Sequence, residues 1–177
     1  MKLRGKKIAF LVGPGFEDLE FWVPFMRLLE EGADVVTVGL RAGEVYESKN
    51  GCLKAKADRG ADDAHPDDFD AVVIPGGWAP DKIRRYDGIK RLVRGIYERG
   101  GIVGMICHAG LVGISAKIVN GRKATGSLGI KDDLENAGAI WVDAPAFRDG
   151  NLVWGRVVAD IPDFNRELIA ALSENTG

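Results

Sequence analysis

A cysteine followed directly by a histidine, Cys107-His108, stands in the run GMICHAG. The stretch before it, GIVGMI, is apolar and reads as a buried strand, while Ala109 and Gly110 after it are small enough for a sharp turn. A cysteine between a strand end and a helix start meets unpaired backbone N–H groups and the positive end of the helix dipole, and both favour the thiolate. The pattern predicts a nucleophile that is thiolate-rich at neutral pH, physically similar to a nucleophile elbow although the G-x-S-x-G sequence is missing. The plainer alternative is a buried core cysteine. His108 can serve as base to the thiol or stabilise it as an imidazolium; otherwise it is a histidine at a helix start, bonded to solvent or a carbonyl.

Three further groups are candidates for moving protons or holding charge. Asp81, in PGGWAPD, can orient the His108 ring, or can simply be a first-turn acid after Pro80. Glu17, in GPGFEDLEF, can share a proton with the thiolate; it is preferred to Asp18 because it follows Phe16 in the turn. The alternative is that Glu17, Asp18 and Glu20 only decorate a helix N-terminus. Gly76 and Gly77 offer backbone N–H donors for an oxyanion, unless they form an ordinary turn. Trp78 can wall a pocket or cover an interface, and Arg156 can pair with a carboxylate near the site or seal a subunit contact.

The elements that must position these residues alternate along the chain. Apolar strands are predicted at 7–12, 33–40, 69–77 and 101–107, each followed by a helical pattern except the second. The helix over 18–32 contains Pro24, which predicts a kink or a restart. Residues 43–58 read as a small antiparallel hairpin around Asn50-Gly51, and 59–68 as a polar loop. Helices follow at 79–86, 88–100 and 108–119, then a turn at 120–125, and 130–143 reads as a helix running into a short strand. A hairpin around Asp149-Gly150 precedes a last helix over 159–177, for which Asp160 is the candidate cap and Ile161, Phe164, Leu168, Ile169 and Leu172 the buried stripe. Strands apolar on both faces imply a mostly parallel α/β sheet covered on both sides, with ligands beyond its carboxyl ends. The whole chain, 1–177, reads as a single domain.

Composition narrows the function. Twenty-four basic and 26 acidic residues leave a net charge of -2, without the basic excess of a nucleic-acid binder. Two cysteines and two histidines make neither a disulfide framework nor a four-ligand zinc site, and His65 reads as surface. No metal or cofactor is expected: PGG is too short for a phosphate loop, and no G-x-G-x-x-G follows a strand. No apolar run approaches the ~18 residues of a membrane span, and no signal-peptide pattern stands at the start, so a cytoplasmic protein is expected.

Taken in order, GFEDLEFWVPFMRLLEEGADV, FDAVVIPGGWAPDKIR, GMICHAG, GRKAT, GIKDDLENAGAIWVD and DGNLVWGR resemble the DJ-1/PfpI superfamily, and within it the PfpI-like intracellular protease group, over nearly the whole chain. The resemblance implies a flavodoxin-like three-layer sandwich and a homo-oligomer, dimeric or hexameric. It implies Cys107 as nucleophile, His108 beside it, Glu17 as the acid touching the cysteine, and Asp81 as the carboxylate that completes a triad from an adjacent subunit. The oxyanion donors it implies are the backbone of Gly77 and Ala109. Four positions depart from the group: Asp81 replaces a glutamate, His108-Ala109-Gly110 replaces His-Gly-Pro, Ser127 stands for a tyrosine, and Trp78 for an arginine. They alter the walls and proton partners of the site and so bear on its substrate.

The leading expectation is a cysteine-dependent hydrolase of peptidase type. A second is a glutathione-independent glyoxalase or deglycase acting on methylglyoxal or its adducts. A third is a stress or redox sensor whose cysteine is oxidised rather than turned over.

Overall fold

The computed structural model describes residues 1–175. The final two residues of the sequence-predicted last helix, 176 and 177, lie outside the described residues. The strands are β1 (Lys7–Leu11), β2 (Asp34–Gly39), β3 (Val45–Glu47), β4 (Lys54–Lys56), β5 (Arg59–Gly60), β6 (Ala71–Ile74), β7 (Ile102–Ile106), β8 (Lys123–Ala124), β9 (Ile140–Trp141), β10 (Ala146–Asp149) and β11 (Leu152–Gly155). The helices are α1 (Asp18–Glu30), α2 (Ala79–Ile83), α3 (Asp87–Glu98), α4 (Gly110–Ser115), α5 (Lys131–Asn136) and α6 (Ile161–Glu174).

Seven strands form one sheet in the order β10-β11-β7-β6-β1-β2-β5, parallel except for the β10–β11 hairpin at its edge. Strands β1, β6 and β7 are the central ones, and their inner residues Ala9, Phe10, Val72, Val73, Val103 and Met105 are fully buried. A sheet apolar on both faces must be covered on both, and two cores do so. One joins the sheet to Leu92, Val93, Val112 and Leu134; the other joins it to Phe21, Leu28, Phe164 and Leu168. The chain passes from β1 outward to β2 and later returns to β6 on the other side of β1. That reversal opens a crevice at the carboxyl ends of β1 and β6.

Several expectations need correction. Helix α1 runs as one element through the buried Pro24 and does not restart there. The loop predicted over 59–68 contains an edge strand, β5, and two short 3₁₀ turns; a two-residue strand is too short for a periodic signal. Asp160 makes no side-chain cap for α6, because its carboxylate is held by Arg156 at 3.0 Å. The predicted hairpin at 43–58 is present as β3 and β4, a separate two-stranded sheet. No helix among the described residues is long and apolar enough to cross a membrane.

The core beneath α1 is aromatic. Phe21 meets Phe10 and Phe16 at centroid distances of 4.9 Å each, and stacks on Phe25 at 5.5 Å. Phe21→Ala should therefore cost about 3–5 kcal/mol, whereas Leu29→Ala, at an exposed position of the same helix, should stay within about 0.5 kcal/mol. Urea unfolding of the two variants checks this, and equal losses would contradict it.

Candidate active site

Four loops converge at the carboxyl edge of the sheet: those after β1, β6, β7 and β11. With the tip of the β3–β4 hairpin and the segment after β8, which brings Ser127, they enclose a cavity of about 480 Å³ lined by Glu17, Glu20, Lys49, Trp78, Cys107 and His108, with Gly77, Ser127 and Val157–Ala159 completing the wall.

Cys107 opens a 3₁₀ turn directly after β7 and has φ 60°, in the left-handed region that a side chain rarely adopts. Such a conformation costs on the order of 1–3 kcal/mol and persists only where its surroundings hold it. Here the Ser127 N–H donates to the Cys107 carbonyl at 3.1 Å. On the other side Gly76 leaves room: a Cβ there would stand 2.9 Å from that of Cys107 and 2.4 Å from Glu20 Oε1. His108 Nδ1 lies 3.3 Å from the Cys107 sulfur. Burial and the Lys49 charge hold the imidazole below its ordinary value, so the ring is neutral at pH 7 and available as a base.

The carboxyl beside the thiol belongs to Glu20, not Glu17. Glu17 caps α1, its Oε2 accepting from the N–H groups of Leu19 and Glu20 at 2.8 Å each. That ties its side chain to the helix start, at the rim of the cavity. Glu20, one turn further on, is fully buried. Its Oε1 accepts from the Gly76 N–H at 3.0 Å, and its Oε2 has no conventional hydrogen-bond partner, leaving the Cys107 thiol as its polar neighbour. The Gly76 N–H is thus spent on Glu20 and is not an oxyanion donor. Gly77 lines the cavity, and its φ of +83° turns the chain where a Cβ would collide with the backbone of Gly15 and Glu17. Ala109 is fully buried behind the nucleophile.

Burial dominates the electrostatics. It pushes Glu20 up to about 7, helped by the Glu17 charge and opposed by the Gly76 N–H. Burial, followed by the Glu20 charge, pushes the Cys107 thiol up to about 12, against the pull of the His108 N–H. The thiolate expected from the turn alone is therefore not free-standing: desolvation and a neighbouring carboxylate outweigh the backbone N–H groups. The two groups form a pair whose first proton leaves near neutrality and whose second is held tightly. The singly ionised pair exists in two forms, carboxylate with thiol and carboxylic acid with thiolate. The second is the nucleophile, with the thiolate next to a proton donor instead of a negative charge.

The other predicted residues fall in different places. Asp81 is 61% exposed and pairs with Arg85 at 2.8 Å, while lining a separate cleft of about 510 Å³ beside His108. Trp78 walls the site, 54% exposed. Ser127 stands at the rim, its Oγ accepting from the Gly129 N–H at 3.3 Å. Arg156 is not in the cavity wall; it pairs with Asp143 at 2.8 Å and Asp160 at 3.0 Å and braces the loop that supplies Val157–Ala159. Two residues were missed, Glu20 and Lys49. The signal for Glu20 was its place four and eight residues before Pro24 and Leu28, on the buried stripe of α1; a carboxyl on that stripe needs a reason.

The DJ-1/PfpI family model matches residues 6–171, and the chain belongs to that family. It is 40% identical to Deglycase PH1704 of Pyrococcus horikoshii over 166 residues, 94% of this chain and 99% of that one. It is 38% identical over 167 residues to YraA of Bacillus subtilis, which carries a provisional cysteine protease name, covering 94% of this chain and 98% of that one. Among solved structures it resembles Drosophila melanogaster DJ-1beta with a TM-score of 0.88 and 26% identity, covering 96% of this chain and 91% of that one.

Two measurements test the shared proton. Alkylation of Cys107 should rise with pH through an inflection near the Glu20 value of about 7, and Glu20→Gln should abolish that inflection. Identical profiles would refute the pairing. Glu20 is also raised relative to the unfolded chain, so its burial costs stability that grows as pH rises from the unfolded value to the folded one. The unfolding free energy of Glu20→Gln should accordingly gain on the native protein by about 2–3 kcal/mol between pH 5 and pH 8, read from denaturant curves at the two values.

Proposed function

We propose that this protein is a cysteine-dependent enzyme of small reactive carbonyls, of the glyoxalase or deglycase type, rather than a peptidase. The observation that carries this reading is the Cys107–Glu20 pair: a thiol, a carboxyl raised to about 7 and a neutral imidazole within one small cavity. Aldehyde chemistry needs proton donors and acceptors that exchange roles near neutral pH, and this pair has them. The deglycase name of a relative aligned along its full length supports the same class.

In the proposed sequence the Cys107 thiolate adds to the aldehyde carbon of methylglyoxal, and Glu20 gives its proton to the new oxyanion as the hemithioacetal forms. The Gly77 and Ala109 N–H groups are the proposed donors to that oxygen. His108 takes the proton from the former aldehyde carbon, and a proton is returned at the neighbouring ketone carbon. The aldehyde carbon is oxidised to a thioester as the ketone is reduced to an alcohol, so no external oxidant or reductant is needed. Water then releases lactate and restores the thiol. An adduct of methylglyoxal with an amine or thiol is a hemiaminal or hemithioacetal at the same carbon; its hydroxyl proton passes to the departing amine or thiol as the C–N or C–S bond breaks, and the aldehyde so regenerated is attacked by Cys107 as before.

For the peptidase reading, Asp81 would have to orient His108, and within one chain it is paired with Arg85. Self-association is part of our proposal. Helix α1 turns Leu19, Val23 and Met26 to solvent, 47%, 41% and 60% exposed, next to a groove against α6 lined by Val23, Ile161 and Ile169. A second copy would cover this apolar strip.

Methylglyoxal and a fluorogenic peptide assayed side by side decide between the chemistries. We expect lactate from methylglyoxal, at least 100-fold reduced in Cys107→Ala and in Glu20→Gln, by the usual weight of a nucleophile and its proton donor. Peptide cleavage lost in Cys107→Ala, without lactate formation, would overturn the reading. Oxidation of Cys107 with neither turnover would move it to the sensor role.

A further inference from the structure

Lys49 lies at the tip of the β3–β4 hairpin and takes no part in the steps above. Its surroundings fix it in place. On one side of it Ser48 donates to the buried Asp18 carboxylate at 2.7 Å; on the other Asn50 donates to the same carboxylate through its backbone and side chain, at 3.2 Å each. The Lys49 N–H itself donates to the Phe16 carbonyl at 2.8 Å. The hairpin tip is thereby fastened to the start of α1, next to Glu17.

The side chain is placed as deliberately as the backbone. The Lys49 ammonium sits over the Trp78 ring, 4.6 Å from its centroid, a cation–π geometry. Trp78 is seated in turn: its backbone N–H donates to the Gly15 carbonyl at 2.8 Å, and a Cβ on Gly15 would come within 2.9 Å of the Trp78 side chain. The ammonium lines the cavity with Cys107 and has no carboxylate partner within 4.0 Å among the described residues. The two acids of the same cavity are otherwise engaged, Glu17 by the start of α1 and Glu20 by Gly76. The ammonium pulls on Glu20 and Cys107 from a distance but makes no ion pair, and a positive charge held in this way at the mouth of a reaction cavity is a site for a negative charge on the ligand.

We propose that Lys49, braced on Trp78, is the specificity-determining residue of this site and selects carbonyl compounds and adducts that carry a carboxylate. This deepens the substrate class of the proposed function and rests on Cys107 as its reacting group. The negative substituent is held by the ammonium at the rim while the electrophilic carbon reaches the sulfur below.

Iodoacetate and iodoacetamide test this without any turnover. Both place CH₂ on the sulfur and release iodide, and they are nearly the same size, but only iodoacetate carries the carboxylate. The rate ratio of iodoacetate to iodoacetamide is measured at Cys107, with the exposed Cys52 followed in the same peptide map as an internal reference. Dividing one rate by the other cancels any change in the amount of thiolate, which a purely structural effect of the mutation would produce. In Lys49→Gln the ratio at Cys107 should fall about fivefold, the effect of one partly screened charge, with the ratio at Cys52 unchanged. Lys49→Arg should restore it. An unchanged ratio at Cys107, or an equal fall at Cys52, would overturn the proposal. A native protein that alkylates with this selectivity yet leaves methylglyoxal intact would keep Lys49 as the anion reader and remove only the glyoxalase chemistry.

Discussion

Burying a carboxyl group next to a thiol is unfavourable for both, and much of this site follows from that one constraint. Glu20 has no exposure to water, and only the Gly76 N–H compensates one of its oxygens. The least costly arrangement keeps a proton between Glu20 and Cys107, and that proton is the one available for chemistry. The left-handed backbone at Cys107, the missing side chain at position 76 and the capped start of α1 all serve to hold the two groups together.

The sheet supplies the rigidity this arrangement needs. The loops after β1, β6, β7 and β11 each leave the carboxyl end of a strand of the central sheet, which is covered on both faces, so most of the site is assembled from short connections on a fixed platform. The acid arrives from the first helix, the nucleophile from the turn after β7, and the outer wall from the loop after β11, which Arg156 ties down through two aspartates. Arg156 thus shapes the cavity without entering it.

Much of this was legible in the sequence because it depends on local rules. The alternation of apolar runs and helical periods predicts the layers, the Asn50-Gly51 turn predicts the hairpin, and a cysteine between GIVGMI and Ala109-Gly110 predicts the strained turn. What was not legible depends on which way a side chain faces. Glu17 and Glu20 belong to one acidic cluster at a helix start, and the choice between them turns on the rotation of α1 against the sheet. Gly76 and Gly77 look equivalent as donors until Glu20 is found to occupy one of them. The thiolate inferred from the turn took account of the backbone N–H groups but not of desolvation, which dominates once the carboxyl is known to be buried. Asp160 was assigned to its nearest helix, whereas the stronger partner, Arg156, lies on the preceding loop.

The fastening of the β3–β4 hairpin to Asp18 has a consequence for how this architecture can change. The hairpin forms its own two-stranded sheet and contributes nothing to the seven-stranded one, yet its tip overlooks the nucleophile. The nucleophile is rooted in the central sheet, and the residue at the entrance is carried on a hairpin that packs on the core through Tyr46 and Ala55. Substitutions in the hairpin can alter which molecules are admitted while the bond-breaking apparatus stays as it was. One reactive turn can in this way be inherited intact by proteins that meet quite different chemicals.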